Sequence, residues 1–543
     1  MRALRGKTIG YHQLRRALQS ALVAASLTHA AGGQALELNS QETKSRVSAR
    51  RLAPDVQSVV ALAYTAPPEF GADALIRLLK AGLIPDREKK LELLRDAFQL
   101  ALQAPDPVKY SYPRGAPFDT RQGWRWRRFR LDVNGESLRC RAVQALLPID
   151  KRLAREWFEE MGLPRPPKHD CRSTLVYDPE IFFQTLRRLM DEAFSAEERE
   201  KHEHVIFAER YLKALTSPPQ VLAAAGLLAT AELDREGFAR LLDAFCGSLE
   251  RMPADARAFR DGWGLMEAVR PVAEKCRKWG LSCDRLVGSL RGYIARNMRA
   301  VRCADSFERR ARAPRYPKSI GRHLWPAVDE KFNAWSARRP PYVAEEIPPL
   351  NEEETEPEGV GPAPDNRKYW TGPTASRLLD DYRRLRFKPR EPGEKKAKPY
   401  SVEERQRHQW RSRFFEYLEE LQSWKGDDEP QRLDYLFQKL TLYWALVEIV
   451  PPGETRDRLL NSYIGFVQEL LRRPDSRALG IAYTDFLLRK LSESKLTAAG
   501  EREEQHQDVD WALRALERSG SPLLTLFAKL DRLTNPRSRP RKR

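Results

Sequence analysis

At 543 residues the chain is too long for one ordinary domain and fits two or three. Apolar residues make up 41%, which excludes global disorder, and 95 Lys+Arg against 76 Asp+Glu give a net charge of +19. That excess favours an acidic partner (nucleic acid, anionic lipid or an acidic polymer) without choosing among them.

Residues 1–35 read as a signal peptide. Arg2, Arg5, Lys7, Arg15 and Arg16 come first with no acidic residue, then the apolar run "ALQSALVAASL" from Ala17 to Leu27. Gly33 and Ala35 follow at the −3 and −1 positions of a cut before Leu36. The competing reading is a basic amphipathic first helix of a cytoplasmic protein. Cleavage removes five positive charges and leaves +14. The longest later apolar run, Val221 to Ala231, is about half a membrane span and is bounded by Pro219 and Glu232. The mature chain is therefore expected to be soluble, and secreted or periplasmic.

The N-terminal domain, residues 36–312, reads almost wholly as helices joined by short breaks. Pro85 and Asp86 open a helix with Leu91, Leu94, Phe98 and Leu102 aligned. The stretch "RQGWRWRRFR", residues 121–130, then threads Trp124 and Trp126 between Arg125, Arg127 and Arg128. Aromatic rings could stack on bases while arginines neutralise phosphates. Arginine stems also lie over aromatic rings on ordinary protein surfaces, and the stretch reads more simply as packing with a basic outer face. These five residues are the candidate partner contacts. Asn134-Gly135 allows a tight turn. However, Leu138, Ala142, Leu146 and Leu147 have helical spacing, so a helix after Gly135 is the stronger expectation.

Further on, "HDC" (His169 to Cys171) and "HEH" (His202 to His204) hold zinc-type ligands, but neither has diagnostic spacing. His202 and His204, two apart on a helix, are expected to point different ways, and no cofactor or metal is expected. Ser217 and Pro218 start one helix and Asp234 caps the next, whose stripe is Phe238, Leu241, Leu242, Phe245 and Leu249. A helix after Ser282 aligns Leu286, Leu290, Tyr293 and Ile294.

Six cysteines are an even number, which an oxidising compartment could pair. Cys283 and Cys303 are excluded as partners because one helix separates them by roughly 30 Å. The expected pairs are Cys276 with Cys283, Cys246 with Cys303 and Cys140 with Cys171. The alternative is buried free thiols.

Residues 313–400 form a Pro/Glu-rich, extended or disordered linker, in which Glu352 to Glu356 faces a basic counterpart at 383–398. A C-terminal helical domain spans 401–533, opening on the capping box Ser401 and Glu404 and carrying the stripe Leu460, Tyr463, Ile464 and Val467. A basic tail, 534–543, closes the chain. The fold class is all-α: an irregular stack of antiparallel helical hairpins, an α-α array or bundle, in two domains. Neither a nucleophile elbow, a phosphate loop nor a dinucleotide fingerprint is present, so no residue is nominated as catalytic. The favoured expectation is an exported helical scaffold or binding protein for an acidic protein or envelope polymer. The alternatives are an intracellular nucleic-acid-associated protein using 121–130, 383–398 and 537–543, or a secreted helical enzyme acting on a polymer.

Overall fold

The computed structural model describes residues 52–110, 129, 131–169, 175–255, 258–259, 262–299, 372–390, 397–426, 432–451, 453–493 and 501–535. The expected signal peptide, the stretch 121–128, Cys171, Cys303, residues 313–371 of the linker and the tail after Asn535 lie outside them. The fold is all-α. Twenty helices and one two-stranded ribbon make up the described regular structure.

Local chemistry sets where the first helices start. Prolines in the first turn open α1 (Pro54–Thr65) and α2 (Pro68–Lys80), where the missing N–H costs nothing. Side-chain oxygens cap α3 (Arg87–Ala101), α4 (Gly135–Leu146) and α5 (Lys151–Met161). Asp86 accepts from Lys89 N at 2.7 Å, Asn134 from Ser137 N at 2.8 Å and Asp150 from Leu153 N at 3.0 Å. Asn134-Gly135 is thus a helix start and not a hairpin turn. The ribbon lies elsewhere: β1 (Val108–Tyr110) pairs antiparallel with β2 (Leu175–Tyr177), Lys109 opposite Val176.

Seven helices follow: α6 (Glu180–Glu192), α7 (Ala196–Glu200), α8 (Glu203–Lys213), α9 (Pro218–Thr230), α10 (Arg235–Arg251), α11 (Gly262–Lys278) and α12 (Asp284–Arg299). Helices two apart in sequence pack on one another: α6 on α8, α8 on α10, α9 on α11 and α10 on α12. The expected stripe of α10 faces inward; Phe238, Leu241, Leu242, Phe245 and Leu249 are all buried, each contributing about 2 kcal/mol of hydrophobic burial. Leu286, Leu290, Tyr293 and Ile294 of α12 are buried likewise.

The end of the segment read as linker is ordered helix. In α13 (Pro373–Arg386), Ala375, Leu378, Tyr382 and Leu385 are buried at spacings of three and four. They pack on α15 (His408–Ser423) and α16 (Arg432–Val447). The Pro/Glu-rich tract before it and the charged residues on its remaining face made this segment read as linker. Between them, short α14 (Val402–Gln406) carries the expected capping box: Ser401 Oγ accepts from Glu404 N at 3.2 Å, and Glu404 accepts from Ser401 N at 2.8 Å. The array continues through α17 (Glu454–Leu471), α18 (Pro474–Glu493), α19 (Glu501–Glu517) and α20 (Pro522–Thr534).

The last helix returns to the first two. α20 packs on α1 and α2 as well as on α19, and the buried side chains of both halves form one connected core. Lys529 Nζ donates to Ser58 Oγ at 2.7 Å and Arg77 Nη2 to Thr534 Oγ1 at 3.0 Å.

Each half also uses a lysine, partly buried in the first and fully buried in the second, to close a helix C-terminus. Lys275 Nζ donates to the carbonyls of Leu228 (3.2 Å) and Ala231 (2.6 Å) at the end of α9. Lys439 Nζ donates to those of Gln422 (2.8 Å) and Trp424 (2.9 Å) at the end of α15. A cation there meets the negative end of the helix dipole and satisfies orphan carbonyls. Among the described residues no helix is long and apolar enough to cross a membrane.

Candidate functional site

The ribbon, the start of α4 and the lead-in to it bring four carboxylates together. Gly135 opens α4 against the end of α3, its N–H donating to Pro105 O at 2.8 Å. A Cβ there would sit 2.7 Å from Ala101 O, so only glycine allows the approach. That contact buries the next residue, Glu136. Tyr177, at the end of β2, donates its hydroxyl to Glu136 Oε1 at 2.7 Å and lies 2.9 Å from Oε2. Glu136 is 8% exposed and Tyr177 2%.

Burial pushes the Glu136 carboxyl up to about 7, despite the opposing Tyr177 hydrogen bond and the nearby Arg139 charge; Asp178 adds to the rise. Asp132, four residues before, is likewise pushed up to about 6, first by burial and then by the Asp178 charge, with Arg141 opposing. Its backbone is left-handed at φ 49°, which a non-glycine residue seldom adopts. Arg141 Nη1 holds it there through the Asp132 carbonyl at 3.3 Å, and the same guanidinium pairs with Asp73. Lys109 of β1 pairs with Asp178 at 2.8 Å and lies 3.9 Å from Glu180.

Two protonatable acids beside a strained backbone and a buried phenol are the arrangement in which functional acids are found, although buried structural networks shift acids too. The segment 111–128, which contains Trp124, Arg125, Trp126, Arg127 and Arg128, leaves the described structure after Tyr110 of β1. It rejoins at Phe129, three residues before Asp132.

A second feature is a groove of about 350 Å³ between α5 and α8. Arg155 lies over the Phe194 ring at 4.5 Å and Arg210 over Phe207 at 5.3 Å, while Ile206 is 41% exposed. Arg152, Arg155 and Arg210 are matched by Glu156, Glu159 and Glu203 among the lining residues. Arg155 also pairs with Glu198 at 2.7 Å, and Arg210 with Glu159.

The histidines differ from expectation. His202 stands just before α8 in the left-handed region (φ 55°), outside the helical spacing, so its ring stacks on that of His204 with centroids 6.4 Å apart. Burial, then the Arg199 and His202 charges, lower the His204 pKa. Among the described residues no three His, Cys, Asp or Glu side chains are placed to hold a metal ion. Cys140, Cys246, Cys276 and Cys283 are present as free thiols, the first three buried and Cys283 partly exposed.

No family model matches the chain, and neither the characterised proteins nor the solved structures compared with it give a match.

Proposed function

We propose that this protein is an exported, soluble helical scaffold that binds an acidic protein or envelope polymer. The observation that carries this reading is the groove between α5 and α8, where guanidinium groups lie over phenyl rings beside the exposed Ile206. A carboxylate of the partner would compete with Glu198 and Glu159 for the Arg155 and Arg210 guanidiniums, and Ile206 supplies an apolar anchor. The groove's own charges balance, so local binding selects a partner with an apolar ridge between charges. The net charge of +19 adds long-range attraction to an acidic one.

The test uses the mature full chain and polyglutamate, with double-stranded DNA of equal charge as competitor, at low and high salt. Polyglutamate binding that Ile206→Glu abolishes, in a chain whose intact mass from the native host starts at Leu36, supports the reading. Preferential DNA binding that persists in Ile206→Glu and weakens linearly in log–log salt plots, in an uncut chain, replaces it with the nucleic-acid alternative.

The raised acids at Asp132 and Glu136 favour a second reading, a secreted enzyme acting on a polymer with one protonated acid and one carboxylate. Loss of hydrolysis in a folded Glu136→Gln chain is the observation that would establish it.

A further inference from the structure

The joint between α11 and α12 is a tight reversal flanked by two cysteines. Gly280 adopts the left-handed conformation at φ 62°, Leu281 N donates back to Cys276 O at 2.9 Å and Gly280 N to Arg277 O at 3.1 Å. This is the Schellman closure that ends a helix and reverses the chain. Three residues after Gly280, Cys283 stands at the cap of α12, its carbonyl accepting from Val287 N at 2.9 Å. The Cys283 sulfur lies 3.7 Å from Ala273 O, which is one turn before Cys276 on α11. Residues three apart share a helix face, so both sulfurs occupy the same side of α11.

We propose that Cys276 and Cys283 are a redox-active dithiol that closes to a disulfide within the folded chain, while Cys140 and Cys246 remain thiols. Cys283 is partly exposed and sits at the positive end of α12, the position that favours a thiolate. Cys276 is fully buried, and the neighbouring Cys283, then burial, push its thiol well up, which keeps it protonated. The Cys283 thiolate attacks one sulfur of a small-molecule disulfide and releases the other half as a thiolate. Cys276 then loses its proton to that thiolate and attacks the Cys283 sulfur of the mixed disulfide, expelling the second half, which takes a proton from solvent. Two protein thiols are oxidised and one external disulfide is reduced to two thiols. Cys246, on neighbouring α10, is buried, and burial pushes its thiol up to about 12. Burial raises Cys140 as well.

The experiment incubates the folded full chain with glutathione disulfide, blocks remaining thiols with N-ethylmaleimide in denaturant and digests with trypsin. The expected product joins the peptide 276–277 to the peptide 279–285, two hydrogens below their summed mass, with Cys140 and Cys246 carrying maleimide. Glutathione retained on Cys283 without the cross-link, or maleimide on both Cys276 and Cys283, overturns the proposal. Cys276→Ser is expected to trap the mixed disulfide that the parent chain resolves; should this variant fail to fold, the parent digest alone decides.

Discussion

Arg477 and Glu69 form an ion pair at 3.3 Å although 408 positions separate them in the chain. The Glu69 side chain is 11% exposed and that of Arg477 22%, so the pair is largely withdrawn from water where the two halves of the chain meet. Removing the cation leaves a carboxylate with little solvent to replace it. Arg477→Ala is expected to cost about 2 kcal/mol, between the values for exposed and for fully buried pairs. A shift of the urea midpoint within a single transition checks this. An unmoved midpoint would show that the seam carries no strain when opened there.

Cutting the chain between the halves should not separate them. Residues 300–371 join α12 to α13, whereas the halves are held by α20 on α1 and α2. A protease site placed within 340–360 is expected to yield two fragments that co-elute as one species on gel filtration and part only in denaturant. Independent elution in native buffer would mean that the two halves are separate domains.

Glu136 makes stability depend on pH in a particular direction. Folding raises its carboxyl from 4.5 to about 7, so in that window the folded chain keeps a proton which the unfolded chain has released. Stability therefore falls as pH rises from about 4.5 to 7, by up to about 3 kcal/mol from this group. Asp132 contributes with the same sign. Glu136→Gln keeps an acceptor for Tyr177 and cannot ionise. Denaturation at pH 5 and pH 8 should show the variant gaining on the parent at the higher pH; a pH-independent difference contradicts the assignment.

Lys439 is the counterpart cation. Burial first, and the Lys425 charge second, push it down to about 8, yet its ammonium closes the end of α15 and lies 5.0 Å from the centre of the Phe466 ring. Lys439→Ala loses both carbonyl contacts and leaves a cavity, and is expected to cost about 3 kcal/mol. Lys439→Met refills the space and should cost less. Thermal melts of the two variants side by side decide the order.

What the amino-acid sequence reveals here follows from the range of the forces. Asp86, Asp234 and Ser401 announce helix starts because a cap acts within four residues, and the stripes on α10 and α12 repeat within two turns. The α13 helix was hidden because its four inward residues are diluted by arginines, and composition weighs every residue equally. Glu136 looks like any acidic residue in a first helical turn. What makes it unusual is Tyr177, which reaches it from 41 positions away. The stacking of His202 on His204 depends on one left-handed residue that no local pattern signalled. The return of α20 to α1 has no sequence mark at all.

That return has a consequence in time. The ribosome makes α1 about 460 residues before the α20 that covers it, a wait of about 25 to 90 seconds at ordinary rates of synthesis. Throughout that interval the leading helices lack the neighbour that Lys529 and Ser58 record in the finished molecule. The chain's opening stays unfastened until its closing helix arrives, so translation sets the earliest moment at which the core can close.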